Sequence, residues 1–131
     1  MDPKDYTILV AEDEEASRFL YEEELKDEGY KIITAENGLQ VLGFLEDTPV
    51  DILMTDVKMP DMHALDMIPR VRVDHAELPI IVISAFKGME SDFTLLGAGI
   101  SGFFAKPVNM TMLKEKIRDI LKDRIPKVPR D

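Results

Sequence analysis

Five short apolar runs, separated by stretches long enough to be helices, constrain this chain more than any other feature. They are Ile8-Leu9-Val10-Ala11, Ile32-Ile33, Ile52-Leu53-Met54, Ile80-Ile81-Val82-Ile83 and Phe103-Phe104-Ala105. The runs are mostly β-branched and do not alternate with polar residues. That is the pattern of strands covered on both faces, as in a parallel sheet. Five strand-helix units in succession imply a doubly wound α/β sheet with right-handed crossovers.

The helices between the runs carry their own punctuation. The first is expected from about Glu15 to Glu28, ending at Gly29, a residue suited to the position just past a helix. The second follows Asn37-Gly38 and runs to about Asp47. The third falls near Leu65 to His75 and contains Pro69, which should kink it or shift its start. The fourth is short, around Met89 to Leu96, between Gly88 and Gly97. In the fifth, Asn109 is the cap, Met110, Leu113, Ile117, Ile120 and Leu121 form one apolar stripe, and Pro126 is the expected stop. Pro49 and Pro79 sit in turns feeding the third and fourth strands. Residues 1–125 read as one domain, and 126–131 as a C-terminal tail or the start of a linker.

Composition removes several classes of function. There is no cysteine, so disulfides and thiolate metal sites are excluded. No run approaches the roughly 20 apolar residues that span a bilayer. Met1-Asp2-Pro3-Lys4-Asp5 has no apolar signal core, and a cytoplasmic protein with no membrane partner is expected. A net charge of −10 argues against direct nucleic-acid binding, which needs Lys and Arg to neutralise phosphates. It suits a cation or a basic partner.

In an open α/β sheet, ligands bind beyond the carboxyl ends of the strands. Strand one ends in Glu12-Asp13, strand three in Asp56, strand four in Ser84 and strand five in Lys106-Pro107. Taken singly, such acids cap helices and such a lysine is solvated. Together they place three carboxylates, a hydroxyl and an ammonium at one end of the sheet. Two unit charges about 4 Å apart cost on the order of 4 kcal/mol at an effective dielectric of 20, and one lysine cannot balance three acids. A hard divalent cation can, and carboxylate, carbonyl and water are the ligands of Mg²⁺. Cation, lysine and hydroxyl are also the groups that orient a phosphoryl group, and a carboxylate beside them can attack it.

The chain resembles the receiver domain of two-component response regulators, of the chemotaxis-regulator kind, over nearly its whole length. The resemblance rests on Ile8 to Glu14 (ILVAEDE), Asp56 to Pro60 (DVKMP), Ser84-Ala85 and Phe103 to Pro107 (FFAKP). It implies a flavodoxin-like (βα)5 fold with strand order 2-1-3-4-5. It also implies that Asp56 is the phosphoacceptor and that Mg²⁺ (or Mn²⁺) is held by Asp13, Asp56, the Lys58 backbone carbonyl and, through water, Glu12. Lys106 would pair with Asp56 and then with the phosphoryl group. Ser84 and the Ala85 N–H would bind phosphoryl oxygens, with Phe103 as the switch aromatic. Lys58 and Phe86 would flank the path of an attacking water, and Lys106-Pro107 would be cis. Asp61 and Ala64 stand where the family favours glycine, and Ser101-Gly102 replaces the acidic pair common in regulators that dimerise.

The implied partners are a sensor histidine kinase or a histidine phosphotransfer protein, and a downstream output domain or protein, with oligomeric state open. The implied switching surface is formed by the fourth helix, fifth strand and fifth helix. Three alternatives stand beside this reading. A degenerate receiver would be only a docking module. A phosphatase-type enzyme using an aspartyl phosphate would usually need an acid where Lys58 stands. A flavin or nucleotide carrier would need a glycine-rich loop after strand one.

Overall fold

The computed structural model describes residues 1–85 and 97–127. The helix expected at Met89 to Leu96, and Phe86, lie outside the described residues. A short 3-10 turn, Pro3–Asp5, leads into β1 (Thr7–Ala11), α1 (Glu15–Asp27), β2 (Lys31–Ala35), α2 (Gly38–Asp47) and β3 (Ile52–Asp56). There follow α3 (Ala64–Asp74), β4 (Ile80–Ser84), β5 (Gly102–Ala105) and the last helix, α4 (Met110–Leu121). All four strand pairings are parallel, in the order β2-β1-β3-β4-β5, as the resemblance implied.

The sheet is covered on both faces. On one face, Leu9, Leu53, Ile80 and Val82 pack with Val41 and Leu45 of α2 and Met67, Ile68 and Val71 of α3. On the other, Ile8, Ile52, Ile81 and Ile83 pack with Tyr21 and Leu25 of α1 and Leu113, Ile117 and Leu121 of α4. Every residue of β1, β3 and β4 is buried, whereas the edge strands β2 and β5 are mostly half-buried. Full burial is thus confined to the inner strands, while the edge strands are covered less completely, with Ile33 and Phe103 against one cluster and Ile32 and Phe104 against the other. No helix among the described residues is long and apolar enough to cross a membrane.

Local chemistry fixes the helix ends. The Asn109 side chain accepts from the Met112 N–H, so the expected cap forms, and the Asn37 side chain caps α2 in the same way by accepting from the Gln40 N–H. Pro69 does not shift the start of α3, which lies within a residue of the expected position and runs through the proline. His63 caps that helix by accepting the Leu65 N–H on Nδ1. Nor does Pro126 stop α4. The chain turns after Leu121, where the Arg124 N–H donates to the Leu121 carbonyl. It is then drawn to the base of the sheet. The Tyr6 hydroxyl donates to the Arg124 carbonyl, and the Lys127 N–H donates to Asp51 at 2.9 Å.

Gly29 leaves α1 at φ +104°, and a Cβ there would stand 3.1 Å from the Pro3 side chain. Gly29→Ala is therefore expected to lower stability by about 1–2 kcal/mol. A urea titration should show the midpoint falling at unchanged slope.

Candidate functional site

The register of the ladder carries the site residues to one edge of the sheet. Ala11 pairs with Thr55, Asp56 with Ile83, and Ser84 with Ala105. Three further hydrogen bonds extend the ladder past the strand ends. The Glu12 N–H donates to the Ala35 carbonyl at 3.0 Å, the Val57 N–H to Ile83 at 3.0 Å, and the Lys106 N–H to Ser84 at 2.9 Å. Backbone geometry thus aligns Glu12, Asp56, Ser84 and Lys106 before any side chain interacts.

Asp13, Asp56, Lys58, Met59, Pro60, Ala85 and Lys106 line a cleft of about 390 Å³ at this edge. Glu12 and Asp56 are buried and Asp13 is exposed, and oxygens of the three carboxylates lie within 4.8 Å of one another. The Lys106 ammonium donates to Glu12 at 2.7 Å and also to Asp56. The Lys58 N–H donates to Asp56 at 3.2 Å. Ser84 is fully buried at the end of β4. Phe103 lies outside the cleft, half-buried on β5 and packed against the α2–α3 side of the core. The Lys106-Pro107 bond is cis.

Burial pushes the Glu12 carboxyl up to about 7; Lys106 opposes the rise and Asp56 adds to it. Burial also works against the Lys106 charge, but its bonds to Asp56 and Glu12 prevail and raise its pKa. Three carboxylates against one ammonium leave the pocket short of positive charge. An all-oxygen donor set of this spacing fits a hard divalent cation held by Glu12, Asp13 and Asp56.

The loop after β3 has an unusual backbone. Asp61 has φ +68°, and the Met62 N–H donates to the Pro60 carbonyl at 2.7 Å. That is the three-residue turn with positive φ, rare and strained, and Asp tolerates it better than most residues. The glycine that the family favours at this place is thus replaced by a residue that can take its conformation. Ala64 is fully buried and its N–H donates to the Val57 carbonyl at 3.0 Å, closing the base of the loop.

Two features escaped the sequence reading. Lys106 binds Glu12 as well as Asp56, and Arg18 of α1 donates to the backbone carbonyls of Glu12 and Asp13 at 3.0 and 3.3 Å. The signal for the second was present: an arginine one turn into a helix reaches back to the loop before it.

Residues 8–118 match the family profile described as the response regulator receiver domain. Chemotaxis protein CheY1 of Helicobacter pylori is 33% identical over 118 residues, covering 87% of this chain and 95% of that protein. A cyclic di-GMP phosphodiesterase of Thermotoga maritima is 29% identical over 91% of this chain, a match that spans only 32% of the phosphodiesterase. Among solved structures, response regulator protein TrrA of Thermotoga maritima, in complex with Mg²⁺-BeF, superposes with a TM-score of 0.82. It is 34% identical, covering 88% of this chain and 99% of TrrA.

Proposed function

The chain belongs to the response regulator receiver family, and from that membership we propose that it takes a phosphoryl group onto Asp56 in a Mg²⁺-dependent reaction. The donor in this reading is a sensor histidine kinase or a histidine phosphotransfer protein, and the change is read by an output domain or partner protein. The carrying observation is Lys106, whose ammonium joins Asp56 to Glu12 beside Asp13 in one cleft.

The residues act as follows. An Asp56 oxygen forms a bond to phosphorus while the bond to the leaving imidazole, or to the carboxylate of an acyl phosphate, breaks. Lys106 holds the Asp56 carboxylate in place and then pairs with a phosphoryl oxygen. Ser84 donates its hydroxyl to another oxygen, with the Ala85 N–H beside it. Asp13, Asp56 and the Lys58 carbonyl would hold Mg²⁺ (or Mn²⁺), with Glu12 supporting them through water. When bound, the ion supplies positive charge that neutralises the phosphoryl oxygens.

Incubation with acetyl phosphate and Mg²⁺ should give one acid-stable, base-labile phosphoryl group per chain. No labelling with Mg²⁺ present would overturn the proposal. Asp13→Ala should weaken Mg²⁺ binding by at least the roughly 10-fold that loss of a supporting partner costs. Glu12→Ala should weaken it less. Equal Mg²⁺ affinity in the wild type and Asp13→Ala, by calorimetric titration, would mean that the metal binds elsewhere.

A further inference from the structure

The turn between β2 and α2 supplies no member of the acid cluster, yet both walls of the pocket rest on it. On the β1 side, Arg18 holds the carbonyls of Glu12 and Asp13 and pairs with Glu36 of the turn at 3.3 Å. On the β3 side, Gly38 opens α2 directly against Met62. A Cβ at Gly38 would stand 2.7 Å from both the Met62 Cβ and the Met62 carbonyl oxygen. The turn itself is fixed: Asn37 accepts the Gln40 N–H at 2.9 Å, and the Gln40 side chain accepts the Glu36 N–H at 2.8 Å.

Gly38 is not needed for its backbone. Among the described residues, positive φ at glycine occurs at Gly29 and Gly99 only. Nor is glycine favoured as a helix former: in helix interiors alanine is preferred by up to about 1 kcal/mol, and Gly38 is the first residue of α2. What glycine provides here is room for the Met62 backbone. That contact pins the tip of the loop, and the Ala64–Val57 hydrogen bond pins its base. Between the two lie Lys58, Met59 and Pro60, which line the cleft.

We propose that the β2–α2 turn is a brace that sets the separation of the two pocket walls, with Arg18 and Gly38 as positioning residues for the metal. This rests on the reading of the pocket as a Mg²⁺ site. Charge and bracing predict opposite signs for Arg18. Removing a cation near a cation site should tighten Mg²⁺ binding if charge alone mattered. Losing the brace should weaken it.

The test is calorimetric Mg²⁺ titration of the wild type, Arg18→Ala, Arg18→Lys and Gly38→Ala, with thermal melts in EDTA. Arg18→Ala and Gly38→Ala should each raise the Mg²⁺ dissociation constant roughly 10-fold. Arg18→Lys keeps the charge without the planar fork, and so should remain impaired. Melting temperatures in EDTA should stay within a few degrees of the wild type. Tighter or unchanged Mg²⁺ binding in Arg18→Ala, or unchanged binding in Gly38→Ala, overturns the brace. Full recovery in Arg18→Lys also overturns it, because the guanidinium's simultaneous hold on the two carbonyls and Glu36 would then not be required. A collapse of melting temperature that tracks the loss of binding overturns it in favour of general destabilisation. A wild type that binds no Mg²⁺ overturns the metal reading itself, and the brace with it.

Discussion

Asp56→Asn should take up no phosphoryl group from acetyl phosphate under conditions that fully label the wild type. An amide is not a nucleophile of this kind, and the change leaves the size of the side chain almost untouched. Two carboxylates remain nearby, so the outcome is informative. Glu12 is buried and already bonded to Lys106. Asp13 is exposed and lines the same cleft. Asp56 combines a strand-end backbone, the Lys106 ammonium and the Lys58 N–H. A misplacement of about 1 Å can cost roughly 100-fold in rate, so transfer to Asp13 should be slower by at least that factor. Labelling is followed by intact-protein mass spectrometry. Full labelling of Asp56→Asn would remove Asp56 from its assigned role.

Much of this site was legible because polar residues at strand ends stand out against apolar runs. Ile80 to Ile83 announces a buried strand, so Ser84 at its end is conspicuous. The same holds for Asp56 after Ile52 to Met54. Contacts between elements distant in sequence were not legible. Neither the fit of Gly38 against Met62 nor the reach of Arg18 to the acid pair leaves a periodic trace. Neither Pro69 nor Pro126 sets a helix end. Pro69 sits inside α3, where tertiary burial of Met67, Ile68 and Val71 outweighs one missing hydrogen bond. Pro126 follows a chain already turned after Leu121 and tied to Tyr6 at the Arg124 carbonyl. The partial burial of the edge strands was not legible, because a short apolar run carries no sign of its place in the sheet.

Ser84→Ala should still be phosphorylated on Asp56 but should transmit little of the change. Phosphorylation replaces one carboxylate charge with roughly two negative charges and three strong acceptor oxygens. Ser84 is buried at the end of β4, and its neighbour in the ladder is Ala105 of β5, next to Lys106. In the proposed switch, a hydroxyl drawn toward a phosphoryl oxygen would vacate space for Phe103, half-buried on β5, to rotate inward. A hydrogen bond to a charged group is worth roughly 1.5–3 kcal/mol, a shift of about 10- to 100-fold between two conformations. The phosphoryl group can bias only states that the domain already samples. Removing the hydroxyl should therefore return most of that bias while leaving Asp56 and Lys106 in place. Amide NMR with and without beryllofluoride reads this directly. The wild type should show large shifts from Phe86 through Phe104, and Ser84→Ala much smaller ones, although both bind the mimic. Shifts of equal size in the two proteins would mean that the lever lies elsewhere, with Lys106 the next group to test.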